Sequence, residues 1–173
     1  MLLPIRTNVV PRRTPYANYV LIAINIAIFL ITYSPHEQMV GYGQFVIVPV
    51  RQWAEPLMLV PADWRFWQFL TYAFLHGNLL HIVGNMFFLY LFGRNVNDKL
   101  GHFGYVAFYL FACIFSGLGH ALLDLSSTAP TLGASGAVAA VTGAYLVLFP
   151  QTLITVIYWF FFFGTIEVPA LYF

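Results

Sequence analysis

Apolar runs recur along this chain, separated by short polar breaks. Tyr16 to Tyr33 carries no Asp, Glu, Lys or Arg. Phe66 to Gly93, Phe103 to Leu123 and Ser135 to Phe149 are equally free of charge, and Gln151 to Phe173 holds only Glu167. Runs of this length suit helices that cross a hydrocarbon core of ~30 Å. The pattern predicts a first span over Tyr16–Tyr33, capped by Thr14 or Asn18. A second starts near Gly77 or Asn78 and ends at Arg94, and a third covers Phe103–Leu123. A fourth covers Ser135–Phe149, stopped by Pro150, and a fifth begins at Gln151 and runs to Phe173. Ser34 to Arg65 reads differently. It is broken by Pro35, Gly41, Gly43, Pro49, Pro56 and Pro61, and Trp53, Trp64 and Trp67 lie among its charges. Tryptophan beside charge marks the headgroup level, so short interfacial pieces are expected there.

Composition sharpens the class. Of 173 residues, 61% are hydrophobic and 8% charged, against about 25% charged in soluble domains. Such a chain cannot cover itself with polar surface, and it reads as an all-α, polytopic membrane bundle interacting with the lipid bilayer. A net charge of +1 argues against a nucleic-acid partner. The single cysteine, Cys113, lies in an apolar run and reads as a small core residue. Residues 1–15, with Arg6, Arg12, Arg13 and several prolines, read as a short cytosolic arm, and 16–173 as one transmembrane domain. Arg94 and Lys99 fall on the same side as that arm, while Arg51 and Arg65 fall on the other.

Alternating spans give the second and fourth the same direction, so their first turns lie near one face. Those turns carry His81 and Asn85 in one and Ser135 in the other. The fourth helix is short: at ~1.5 Å per residue, Ser135 to Phe149 covers roughly 22 Å, less than a ~30 Å core. Either the bilayer thins there or the residues before Ser135 dip into the membrane, the sharper inference, where irregular backbone is tolerated only if protein or a water-filled cavity surrounds it.

Ser135 has two readings: a helix N-cap, or a nucleophile at the floor of a submerged cavity. The soluble-hydrolase elbow does not fit, because position 137 is Ala where that motif has Gly. Gly136, Ala140 and Ala144 form a row of small residues suited to close helix approach. His81 and Asn85, four apart, share a helical face. They serve either interhelical hydrogen bonding or, with the Ser135 N–H at a positive helix end, an oxyanion hole. His76 and His81 are about 140° apart on a helix of ~3.6 residues per turn, a poor metal pair. No other cluster has metal-ligand spacing, and no metal or cofactor is implied. His36, His102 and His120 read as loop, interface or helix-end residues. Glu167, about 22 Å along the fifth helix by its rise, is placed near the outer interface, where it reaches water.

Four blocks together resemble the rhomboid family of intramembrane serine proteases. They are Trp64-Arg65, His76-Gly77-Asn78-Leu79-Leu80-His81-Ile82-Val83-Gly84-Asn85-Met86, Phe92-Gly93-Arg94-Asn95-Val96 and Gly133-Ala134-Ser135-Gly136-Ala137. The resemblance implies a bundle of at least six transmembrane helices, of which this chain would hold five, and cleavage of single-pass membrane substrates. It implies Ser135 as nucleophile, with His81 and Asn85 holding the oxyanion. Gly133 fits the tight approach before the serine, and Trp64-Arg65 matches a structural pair in the first loop. In the family the general base is a histidine on a sixth span, beside a Gly-xxx-Gly row that packs on the serine helix. None of the five histidines here matches it, so the row Gly136, Ala140, Ala144 is expected to lack its partner. The chain reads as a truncation of a longer protein, of prokaryotic cell-membrane type. Asn97 stands where the family usually has Glu, which predicts a weaker tether after the second span. The alternative is an inactive rhomboid-like protein that binds transmembrane helices through that row. A channel or transporter lacks the paired broken helices and charged midplane site it would need.

Overall fold

A computed structural model describes residues 2–40, 44–159 and 163–173. Its centre is helical. Helix α1, Tyr16–Thr32, buries Asn18, Leu21, Asn25, Phe29 and Thr32, a stripe at steps of three and four that faces the core. Its outer face stays apolar, with Val20, Leu30 and Ile31 exposed. A helix apolar on both faces is expected where the surroundings are hydrocarbon. No side chain caps α1: it starts after Pro15. Asn18, expected as a cap, is instead fully buried.

Short pieces follow α1. Strands β2 (Tyr33–Val40) and β3 (Gln44–Val50) pair antiparallel. The register slips between Tyr33 and His36, where Pro35 has no N–H to give. Two 3-10 turns, Gln52–Leu57 and Pro61–Asp63, lead to the one-turn helix α2, Gln68–Thr71. Gln68 and Thr71 tie that turn back: Gln68 Nε2 donates to the Pro56 carbonyl at 3.1 Å and Thr71 Oγ1 to that of Leu57 at 2.8 Å.

Helix α3, Leu79–Phe88, is capped by Asn78, whose Oδ1 accepts from His81 N at 2.8 Å. It passes through a π-helical turn, Leu89–Gly93, straight into α4, Arg94–Leu123. The run breaks at Gly101, where φ is +71°, a backbone state glycine reaches without steric cost. The second and third expected spans are thus the two legs of one helical run. Among the described residues, Leu79–Leu123 is the one helical stretch long and apolar enough to cross a membrane by length and composition, and α1 and α5 are shorter apolar helices. Helix α5, Ser135–Leu148, buries Ala137, Val138, Val141 and Tyr145.

The contacts fix directions. His81 of α3 lies against Gly133 just before α5, and Phe92 beyond α3 meets Tyr145 of α5 at 5.0 Å between ring centroids. α3 and α5 therefore run side by side in the same sense, starting at the same end. Gly136 packs on Ser116 of α4, and Ala140 and Ala144 pack against the core. This corrects the expectation that the small-residue row lacks a partner: α4 occupies it.

The fifth helical span is also corrected. Leu153–Trp159 forms β4 and Phe163–Pro169 forms β5, followed by a short turn over Ala170–Tyr172. The order β1-β4-β5, with β1 at Leu2–Thr7, makes one antiparallel sheet that joins both ends of the chain. The described residues are mostly helical with two small sheets, rather than all-α. The stretch is rich in β-branched and aromatic residues, which favour strands, and a continuous apolar run does not distinguish strand from helix by period. Ile154 and Val156 are buried alternately in β4, the period of a strand. Glu167 sits on β5 opposite Thr155 and is exposed.

Inside the bundle a polar knot joins α1 to both legs of the long run. Tyr105 Oη donates to Asn18 Oδ1 at 2.6 Å, and the backbone N–H of Asn18 donates to Asn97 Oδ1 at 3.2 Å. Asn97 Nδ2 lies 3.2 Å from His102 Nδ1. Asn97 is therefore a working tether. Tyr105→Phe removes the donor and leaves the Asn18 carbonyl oxygen unpaired in the core. It is expected to cost about 1–3 kcal/mol, read as a lowered midpoint for unfolding in detergent micelles. An unchanged midpoint would show that the knot carries no stability.

Candidate functional site

The site is built where α3 and α5 begin. The chain enters α5 through an irregular stretch held by protein. Leu59 and Thr131 exchange backbone hydrogen bonds at 3.0 and 2.7 Å, and Gly133 N donates to the Tyr72 carbonyl at 2.9 Å. Gly133 has φ +125°, a conformation that strains residues bearing a Cβ. A Cβ there would also fall 2.5 Å from His81 Cε1. The His81 ring thus lies directly on the backbone that leads into Ser135.

Ser135 is the first residue of α5, and the cap position is Ala134, which makes no side-chain bond. The serine does not serve as an N-cap. Its side chain is exposed and lines a groove of about 650 Å³ between α3 and α5. His81 and Asn85 line the same groove, with Gly84, Phe88, Val138 and Gly143 among its walls. Asn85 is buried, and its Nδ2 has no hydrogen-bond partner among the described residues. A buried amide without a partner costs free energy, and here it belongs to a residue that lines the groove.

Trp64, Arg65, Gly136, His102 and His120 are not among the residues that line the groove. Trp64 packs edge-on against Phe66 at 5.4 Å and tilts against Phe69 at 5.4 Å. The Arg65 guanidinium sits 5.5 Å from the centre of the Trp67 ring, and Arg65 N donates to Gln68 Oε1 at 2.8 Å. Gly136 faces Ser116, away from the groove. His120 meets Thr131 at 2.6 Å and His102 meets Asn97, while the side chain of His36 lies outside the described residues.

His76 is where the reading from helical phase fails. It precedes α3, so the 140° offset does not apply, and its ring meets that of His81 edge-to-face at 5.2 Å. It is fully buried. Burial, reinforced by the charge of the neighbouring His81, pushes its imidazole down to about 4, so His76 is neutral at physiological pH. Among the described residues no group of three His, Cys, Asp or Glu could hold a metal ion.

Fold and site together define a class: a mostly helical bundle with apolar outer faces, in which a serine at a helix start shares a groove with a histidine and an asparagine from the adjacent helix. Residues 63–172 match the Rhomboid domain family, and the chain belongs to the rhomboid family. It is 42% identical over 73 residues to "Rhomboid-like protein 11, chloroplastic" of Arabidopsis thaliana, a match covering 42% of this chain and 26% of that protein. It is 33% identical over 79 residues to "Rhomboid protease GlpG" of Yersinia pestis (strain Pestoides F), covering 46% of this chain and 27% of the relative. The same figures hold for GlpG of Yersinia pseudotuberculosis serotype O:3. The matched stretches thus span about a quarter of these relatives' length.

Two substitutions probe the geometry. Gly133→Ala is expected to lower the unfolding midpoint by the equivalent of about 1–3 kcal/mol from backbone strain alone; a midpoint at the native value would mean that the loop relaxes freely. Asn85→Leu removes the unpaired buried amide at similar volume. It is expected to be neutral or stabilising by about 1 kcal/mol, and a clear loss of stability would reveal a partner for that amide.

Proposed function

We propose that this chain carries the nucleophile and oxyanion hole of an intramembrane serine endopeptidase. The observation that supports this best is Asn85. Its side-chain donor is buried without a partner among the described residues, and Asn85 lines the groove that also holds Ser135 and His81, an arrangement costly for folding and useful if a small rotation turns the amide to an oxyanion. Ser135, which caps nothing, is free for nucleophilic work.

On this reading Ser135 Oγ attacks the scissile carbonyl of a single-pass transmembrane substrate. Its proton passes to a base. The carbonyl oxygen, now negative, accepts hydrogen bonds from Asn85 Nδ2, the His81 ring and the Ser135 backbone N–H. Collapse breaks the C–N bond, the amine leaves with a proton, and water then releases the acyl group from Ser135. A lone serine hydroxyl is a weak nucleophile without an adjacent base. His36, His76, His81, His102 and His120 include no match to the family's base histidine, so the reading names no residue of these 173 as the base. On this reading the apolar helices cross a prokaryotic cell membrane several times, with residues 1–15 cytosolic and β4 and β5, which share a sheet with Leu2–Thr7, on that same side.

A second reading is that of an inactive rhomboid-like protein that holds transmembrane helices. The groove favours it in one respect. It continues past Ser135 to Thr142, Gly143 and Leu146, a surface on which another helix can lie closely.

The deciding experiment uses a reporter with a single transmembrane segment and the native full-length protein in liposomes. Ser135→Ala is expected to abolish cleavage and labelling by a fluorophosphonate, while Asn85→Ala slows cleavage about 10²–10³-fold. Cleavage that survives Ser135→Ala would overturn the protease reading. Substrate that co-purifies equally with native and Ser135→Ala protein, without cleavage or labelling, would establish the second.

A further inference from the structure

The end of the bundle opposite Ser135 carries a feature that proteolysis does not use. The arm before α1 is fastened to the start of α4 through its backbone: Arg12 N donates to Asp98 Oδ2 and Arg13 N to Asp98 Oδ1, each at 3.0 Å. Both carboxylate oxygens are thus engaged by main-chain N–H groups, and the side chains of Arg12 and Arg13 are left exposed. Lys99, next in sequence, is exposed as well. Arg94, one turn earlier, rests its guanidinium over the Tyr90 ring at 5.4 Å. Four cations and one carboxylate therefore share this rim.

Aromatic rings lie at the same level. Tyr19 of α1 stacks on Tyr90 at 6.3 Å, and Tyr16 tilts against His102 at 6.0 Å. All three tyrosines are at least 40% exposed. Next to them begins the exposed apolar flank of α1, with Val20 and Ile24. Tyrosine between apolar helix faces and cations is the pattern of a membrane interface, where the ring sits at headgroup depth.

We propose that this rim is a contact face for anionic phospholipid headgroups, with Asp98 as the clamp that presents the arm's arginines to them. The proposal rests on the membrane reading above. The charge of the rim selects the occupant: each Lys or Arg near an anionic leaflet favours association by about fivefold, and a zwitterionic headgroup offers no such gain. Arg94, held on Tyr90, supplies a guanidinium with the donor geometry that suits phosphate oxygens.

The clamp separates this proposal from a simple effect of net charge. Removing the Asp98 carboxylate makes the rim more positive but releases the arm. If charge alone acted, anionic lipid would bind better; if the clamped face acts, it binds worse. The purified protein in detergent is equilibrated with equimolar phosphatidylglycerol and phosphatidylcholine, and retained lipids are counted by native mass spectrometry. Native protein is expected to favour phosphatidylglycerol by at least about fivefold. Arg12→Gln/Arg13→Gln/Lys99→Gln is expected to bring the ratio close to one, Asp98→Ala to lower it, and Arg51→Gln, outside this rim, to leave it unchanged. Equal retention of both lipids by the native protein overturns the proposal, and so does a ratio that rises in Asp98→Ala. Retention of neither lipid would overturn the membrane reading with it.

Discussion

The arrangement depends on one close approach, that of the His81 ring to the backbone at Gly133. Three constraints meet there. Gly133 adopts φ +125°, its N–H is committed to the Tyr72 carbonyl, and its α-carbon face is covered by the imidazole. The contact joins the start of α5 to the start of α3 and to the turn before it. Were either helix to slide by a turn, about 5.4 Å, the ring would lose its seat and Ser135 would leave the groove. The hydrogen bond that His81 N donates to Asn78 Oδ1 locks the other partner by fixing the turn on which the ring is mounted.

This chain places apolar side chains on the outer faces of its helices and part of its polarity at the centre. Asn18, Asn25, Asn95 and Asn97 are buried, while Leu30, Phe103 and Val147 are among the exposed. In hydrocarbon a hydrophobic drive between helices is weak, and small-residue contacts and interhelical hydrogen bonds hold a bundle together. Gly136 on Ser116 is a contact of the first kind. Tyr105 on Asn18 and the 3.0 Å bond from Tyr72 Oη to the Cys113 carbonyl are of the second. Gly93 permits the knot at Asn18, because a Cβ there would meet both the Asn18 side chain and the Tyr105 hydroxyl.

What could be read from the sequence was set by how local its causes are. Asn78 before an apolar run is an N-cap signature, and α3 starts beside it. Pro150 stops α5 near where a missing N–H should. The shared level of His81, Asn85 and Ser135 followed from counting spans, because parallel helices must begin at one end. What failed depended on partners distant in sequence. Gln151–Phe173 is as apolar as a span, and its strands are defined by pairing with each other and with Leu2–Thr7, which the local pattern does not reveal. Gly136, Ala140 and Ala144 announced a close helix neighbour but not which one, and α4 proved to be it. The ring contact of His76 with His81 was not legible, because no helix spans Gly77 and Asn78 and a helical phase does not carry across them.

The π-helical turn at Leu89–Gly93 links the two ends of the molecule. One i→i+5 turn in an α-helical run shifts the phase of everything beyond it. Before it, Asn85 faces α5 and the groove. Beyond it, Asn97 turns to α1 and holds the Asn18 backbone. A continuous α-helix over Leu79–Leu100 would change the angle between Asn85, which lines the groove, and Asn97, which holds the Asn18 backbone. The irregular turn reconciles them and brings Gly93 against Asn18 and Tyr105. Rotation of α3 about its axis, which sets where the Asn85 amide points, is therefore controlled from the far end of the bundle by the Asn97 tether. The groove is kept in shape by hydrogen bonds that lie outside it.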